Sequence, residues 1–158
     1  VNFLESGLFE LSKLFLMPVL VLIVLALAYA FIALGAFVVE FWQRSRGVYR
    51  SPLVAYQADH AVSSDDLELW IMKRLEWLRI VSRAAPMLGL VATMIPMGPA
   101  LLSLANNDAK SVGENLVVAF SAVILALVSA SITFVLLTVR RRWLLQELRA
   151  LERKAEAR

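Results

Sequence analysis

Three hydroxyl side chains, Thr93, Ser129 and Thr133, lie in two long stretches, 84–107 and 115–139, that contain no Asp, Glu, His, Lys or Arg. A hydroxyl donates one hydrogen bond and accepts others, so a row of them can solvate an ion or pass a proton along a water chain. The same residues are small enough to let two helices approach closely. At about 100° per residue, Thr133 and Ser129 share a narrow face with Ala126, Ala122 and Ala119. Thr93 falls on a second such face with Pro86, Gly89, Pro96 and Ala100. The pattern supports both a polar ion path and plain helix packing, and residue types alone leave the two side by side.

Each stretch is long enough to cross a hydrocarbon layer of about 30 Å, which takes about 20 helical residues. They are joined by a short polar turn containing Asp108, Lys110, Gly113 and Glu114, and together they read as a membrane helical hairpin spanning 84–139. A third uncharged run, 14–39, precedes it. The expected fold is therefore all-α, a polytopic membrane protein with three transmembrane helices. With 60% apolar residues, no soluble core of this size would bury three helices that are hydrophobic all round. The first run is nearly devoid of polar groups and reads as a peripheral, lipid-facing helix. Its length, the lack of a basic leader, and Glu5 and Glu10 before it argue against a cleaved signal peptide.

Basic residues set the expected orientation. Arg44 to Arg83 holds seven Lys and Arg, the tail 140–158 holds seven more, and Lys13 and Lys110 stand alone elsewhere. The positive-inside rule then places the N-terminus outside and the loop and tail in the cytoplasm, at the inner membrane. Four segments follow: an outer amphipathic stretch and first span (1–43), a cytoplasmic loop and helix (44–83), the hairpin (84–139) and a cytoplasmic C-terminal helix (140–158). Residues 1–13 are expected at the outer interface. Trp42 and Trp143 suit interfacial anchors, and Glu40 reads as a hydrated interfacial carboxylate. Ser63 or Ser64 should cap a helix whose apolar stripe runs through Leu67, Trp70, Ile71, Leu78 and Val81 and extends the second span below the membrane, anchored by Trp70 and Trp77. Pro96, Gly98 and Pro99 should interrupt the second span. Leu144, Leu148 and Leu151 mark a seam on the tail, which continues the third span.

The chain has no cysteine and one histidine, His60, in a polar loop segment to which no role is given. No phosphate loop, hydrolase elbow or metal cluster is visible, so no enzyme, metal site or cofactor is expected. The basic residues crowd the span ends without a recognition motif, so no nucleic acid partner is expected. Because the spans lack a titratable carboxylate, base or cation, a proton-moving role needs a partner to supply one.

The run Ala85-Pro86-Met87-Leu88-Gly89-Leu90-Val91-Ala92-Thr93 resembles the A-P-x-x-G-L-x-G-T opening of the second span in the MotA/TolQ/ExbB proton-channel family, with Ala92 in the second glycine's place. Ser129 matches that family's mid-span hydroxyl in the third span. Three spans with an outside N-terminus resemble the ExbB and TolQ branch, and the resemblance runs over roughly 64–150. Ile124 stands where ExbB proteins can carry a glutamate, Pro96 replaces a usually small residue, and the loop is short, which together mark a divergent branch. The resemblance implies a homo-oligomer, a pentamer-like ring, around a dimer of single-span partners like ExbD, TolR or MotB. The partner's membrane Asp would face Thr93 and Ser129, and protonation cycles would drive a stator-type motor. Protons are the favoured ion and sodium the other. The competing reading is a structural membrane scaffold with no ion conduction.

Overall fold

The computed structural model describes residues 2–60 and 63–157, without the side chains of Asn2, Phe3, Glu5, Asp59 and His60. His60 ends the helix Pro52–His60 rather than lying in a loop, and its side chain is among those not described. Among the described residues five helices follow one another: α1 (Asn2–Ser45), α2 (Pro52–His60), α3 (Ser64–Arg74), α4 (Glu76–Ala105) and α5 (Ala109–Glu156). Three helical segments, Ser6–Ser45, Ser64–Ala105 and Ala109–Glu156, are long and apolar enough to span a membrane. The protein is a multi-pass, all-helical membrane protein.

The antiparallel pair α4 and α5 is the most closely packed, and α1 lies against both. Small residues make this possible. A methyl group built on Gly89 would lie 2.8 Å from the Ala126 Cβ, so the two backbones are as close as glycine and alanine permit. Ala92, Ala122 and Ala126 are buried there beneath Val19 and Ile23 of α1. A second cluster at the basic end joins Leu67, Ile71, Leu75, Leu78, Leu136, Leu144 and Leu148 with Leu53 of α2 and Ala33 of α1. Leu75, missing from the expected stripe, is buried in this cluster, whereas Trp77 is 66% exposed at the edge of a cavity beside α1. Trp70 stacks on Tyr56 at 5.6 Å between ring centroids.

Helix ends follow local chemistry. Gly47, at φ +69°, closes α1 with bonds from Val48 N–H to the Gln43 carbonyl and from Gly47 N–H to that of Arg44. Asn107 takes the same left-handed conformation at φ +56° to close α4, as asparagine does more readily than most residues. Asp108 then caps α5 by accepting from the Ser111 N–H at 3.2 Å. The turn is thus 106–108, and Lys110, Gly113 and Glu114 already belong to α5. Ser63 caps α3. Only Leu75 separates α3 from α4, and the bonds Leu75 N–H to Ile71 and Arg79 N–H to Leu75 carry the ladder through it.

Three expectations are corrected. The N-terminal segment does not stand apart from the first span: α1 is one helix from Asn2, and Phe9 packs on Gly98, where an added methyl would meet its ring at 2.9 Å. The segment around Pro96, Gly98 and Pro99 does not break α4, which is helical throughout. Each proline forfeits one backbone donor, whereas unwinding in lipid would expose several polar groups at once. Glu40 is not merely hydrated. Its carboxylate meets Arg140 at 3.3 Å and Arg44 at 3.4 Å, and accepts from the Tyr49 hydroxyl at 3.0 Å. Arg44 also donates to Glu147 at 2.7 Å, and Ser51 donates to the other oxygen of that carboxylate. Burial, then the Glu40 charge, raises the Tyr49 phenol above its usual pKa, which keeps it a donor.

Gly89→Ala is expected to destabilise the hairpin by about 1–3 kcal/mol, the usual range for overpacking, despite alanine's better helix propensity. Ala126→Gly in the same chain should restore most of the loss, as a melting series in detergent would show. The hydroxyl of Ser111, followed by its amide, holds the Asp108 carboxyl below its ordinary pKa. Because the folded value is the lower one, the cap's contribution is complete above the unfolded value, about pH 4, and fades as pH falls through the folded value. The hydrogen-exchange protection factors in the first turn of α5, exchange rates taken relative to the intrinsic rate at each pH, should fall on acidification and should already be low at neutral pH in Asp108→Ala.

Candidate functional site: the small-residue seam and its hydroxyls

The seam between α4 and α5 is built from residues spaced by three and four. On α5 the buried positions are Ala119, Ala122, Ala126, Ser129, Thr133 and Leu136, with Ala130 beside them. This is the face expected from spacing. On α4 the buried positions are Ala85, Gly89, Ala92, Pro96 and Ala100. Here the helix is turned slightly from the expected setting, so that Ala85 and Ala92 take the inner places while Pro86 and Thr93 lie half-buried on the flank. The reason is steric: alanine at 85 and 92 admits α5 more closely than a proline ring or a β-branched threonine would.

The hydroxyls are correspondingly separated. Ser129 and Thr133 are 0% exposed. Ser129 Oγ donates to the Leu125 carbonyl at 2.7 Å, and Thr133 Oγ1 to those of Ser129 at 2.8 Å and Ala130 at 3.1 Å. Thr93 Oγ1 donates to the Leu90 carbonyl at 2.7 Å. Each hydroxyl proton is thus returned to its own helix, which leaves oxygen lone pairs as the groups available to a third party. Thr93 shares a stripe with Arg79, Arg83, Pro86, Leu90 and Met97 by helical spacing. The other flank of α4, with Trp77, Val81, Ala84 and Leu88, borders Leu22, Ala26 and Tyr29 of α1. Thr93 therefore sits on the side of the hairpin turned from α1.

Two further hydroxyls were missed by sequence reasoning. Ser131 and Thr138 are exposed on α5 and donate to the carbonyls of Leu127 at 2.8 Å and Phe134 at 2.9 Å. At about 100° per residue they lie on the opposite side of α5 from Ala126, Ser129 and Thr133, so a search along the small face could not select them. Of the expected anchors, Trp42 is 57% exposed, with the Arg46 guanidinium 3.6 Å from its ring centroid. Trp143 is instead drawn into the α1–α5 contact. It stacks on Phe37 at 5.3 Å and 6° and carries Arg44 over its face at 4.4 Å. Among the described residues, no three His, Asp or Glu side chains are grouped to hold a metal ion.

Comparison with curated proteins gave no match, and comparison with solved structures gave none. The profile of the MotA/TolQ/ExbB proton channel family matches residues 54–153, from α2 through most of α5. That segment contains the hairpin, the A-P-x-x-G-L motif and all three hydroxyls, and it covers well over half of the 158 residues. The chain belongs to the MotA/TolQ/ExbB proton channel family.

Proposed function

We propose that this chain is the channel-forming stator subunit of an ion-driven motor at the inner membrane, in a divergent ExbB- or TolQ-like branch. The observation that carries the reading is the family match over a hairpin whose spans hold hydroxyls but no ionisable acid or base. A proton path across a membrane needs a titratable group. In this reading a single-span partner, paired as a dimer inside a pentameric ring, supplies it as an aspartate. Thr93, half-buried on the flank turned from α1, is the hydroxyl that such a carboxylate meets first. Ser129 and Thr133, buried in the seam about 10 and 16 Å nearer the basic end, continue the path. With the basic loop and tail in the cytoplasm, the turn at 106–108 faces the outer side. Protons are the transported ion, and cycles of protonation convert the proton motive force into relative motion of ring and partner.

One observation favours a second reading. Ser129 and Thr133 are wholly buried and bonded to their own helix, as residues of a packing seam would be. A scaffold subunit without conduction would use them in that way.

Flux measurements in vesicles separate the two. In the stator reading, Thr93→Ala and Ser129→Ala assemble normally yet lose partner-dependent proton flux by at least ~10-fold, a barrier change of ~1.4 kcal/mol. Unchanged flux in both variants removes the ion-path assignment. In the scaffold reading, Ala122→Leu dissolves the assembly while hydroxyl removal is silent. Native mass in detergent gives an independent check: five copies capturing two single-span chains is the expected result, and a monomer indifferent to such a partner rejects the motor.

A further inference from the structure

At the basic end of the hairpin, on the side turned from α1, an open groove of about 1020 Å³ runs between α4 and α5. Arg79 and Arg83 reach it from α4, and Arg141 and Arg142 from α5. Among the described residues none of these four guanidiniums forms an ion pair, whereas on the other side Arg44 pairs with Glu40 and Glu147, and Arg140 with Glu40. Two carboxylates are near: Glu68 lines an adjoining cavity of about 140 Å³ together with Arg79 and Arg141, and Glu76 stands one turn from Arg79 on α4, so four guanidiniums against two carboxylates leave a positive excess.

The level of the groove matters as much as its charge. The uncharged stretches end at Ala84 and Val139, and in the antiparallel register of Gly89 against Ala126 these ends are offset by about 12 Å along the bundle, so Arg83 lies deepest, Arg79 about 6 Å further out, and Arg141 and Arg142 at the outer end of the groove. The four cations thus form a ladder through the headgroup layer, about 5–8 Å thick on each side of the core, rather than a ring at one depth. The groove wall is not polar throughout: Phe134, Leu137 and Leu145 form part of it, and Phe134 is 61% exposed. Toward the membrane it continues onto Leu90 and Leu127, seven residues from Arg83 and Phe134 on the same helix faces and both exposed. A cluster of fixed cations that opens onto apolar helix flanks fits a phosphodiester carrying acyl chains better than a free anion.

We propose that this groove binds the headgroup of an acidic membrane lipid, with the phosphate among Arg79, Arg83, Arg141 and Arg142 and the chains along Phe134, Leu127 and Leu90. Guanidiniums offer paired donors to phosphate oxygens, and four of them line the groove. The chains run on the Leu90 stripe that Thr93 shares, so in the stator reading the lipid and the single-span partner meet on one flank of the hairpin.

The full chain, purified in a mild detergent, is incubated with equal amounts of phosphatidylglycerol and phosphatidylcholine and weighed by native mass spectrometry. Retention of phosphatidylglycerol by at least ~10-fold over phosphatidylcholine is expected, a ratio that two engaged arginines suffice to give. The preference should vanish in the R79Q/R83Q/R141Q/R142Q variant, survive largely in the corresponding lysine variant, and be unaffected by R153Q/K154Q, which keeps the groove intact. Equal retention of the two lipids, or a preference that outlasts the glutamine variant, overturns the proposal. Displacement of the lipid by millimolar inorganic phosphate that itself stays bound would make this a free-phosphate site and would overturn it too. Should the glutamine variant not fold, spin-labelled lipids in phosphatidylcholine vesicles test the native chain directly. A larger immobilised fraction for phosphatidylglycerol than for phosphatidylcholine, reduced by salt, supports the site, and equal fractions reject it.

Discussion

Everything in this subunit rests on how near α4 comes to α5. Between helices in lipid there is little hydrophobic drive to association, because the tails are as apolar as the side chains. Attraction must come from dispersion, which is weak per atom pair and falls steeply with separation. Gly89 against Ala126 brings the backbones together at mid-membrane, and alanines at 85, 92, 119 and 122 hold them near on either side. Only with that contact made does a shallow furrow exist for Val19 and Ile23 of α1. A bulky residue anywhere along the seam would therefore disturb three helices.

At the basic end the same helices are held by a different kind of force. Glu40, Arg44, Arg140 and Glu147 are each about one-fifth exposed at the side chain, and they link α1 to α5 through alternating charges. Isolated surface pairs contribute little. Here Phe37, Phe41 and Trp143 cover the charges from one side, and Tyr49 and Ser51 supply further donors. The arrangement fixes which face of α1 meets α5, a task that uniform apolar packing does poorly. It also divides the arginines of this end into those consumed by internal pairing and those left facing the hairpin's other flank.

The fold class was legible from charge-free length alone, and the α5 face from its three-four spacing of Ala119, Ala122, Ala126, Ser129 and Thr133. The α4 face was less so. Pro86 and Thr93 lie one position from Ala85 and Ala92, and a wheel cannot separate neighbours by 100° when both are small enough to pack. Proline periodicity suggested a broken helix at 96–99, but the cost of exposing backbone in lipid outweighs the few bonds that proline removes. Glu40 was misread because its partners stand 4, 9 and 100 positions away, and only the first is visible as a local pattern. Thr93, Ser129 and Thr133 were picked out by type, and the geometry adds that two lie inside the seam and one outside it.

The uninterrupted course of α5 has a mechanical meaning. From Ala109 to Glu156 it is a single rod of 48 residues, about 72 Å long, with neither glycine nor proline after Gly113. Its antiparallel neighbour is jogged at Leu75 and carries three prolines. Resistance to bending is therefore unequal: α4 lacks the backbone bonds its prolines remove, and α5 keeps an unbroken ladder after Gly113. A tilt imposed on the membrane end of α5 is carried along one continuous helix to its charged end, while the junction at Leu75 gives α3 and α4 a point of flexure. The subunit has the build of a lever with a compliant brace.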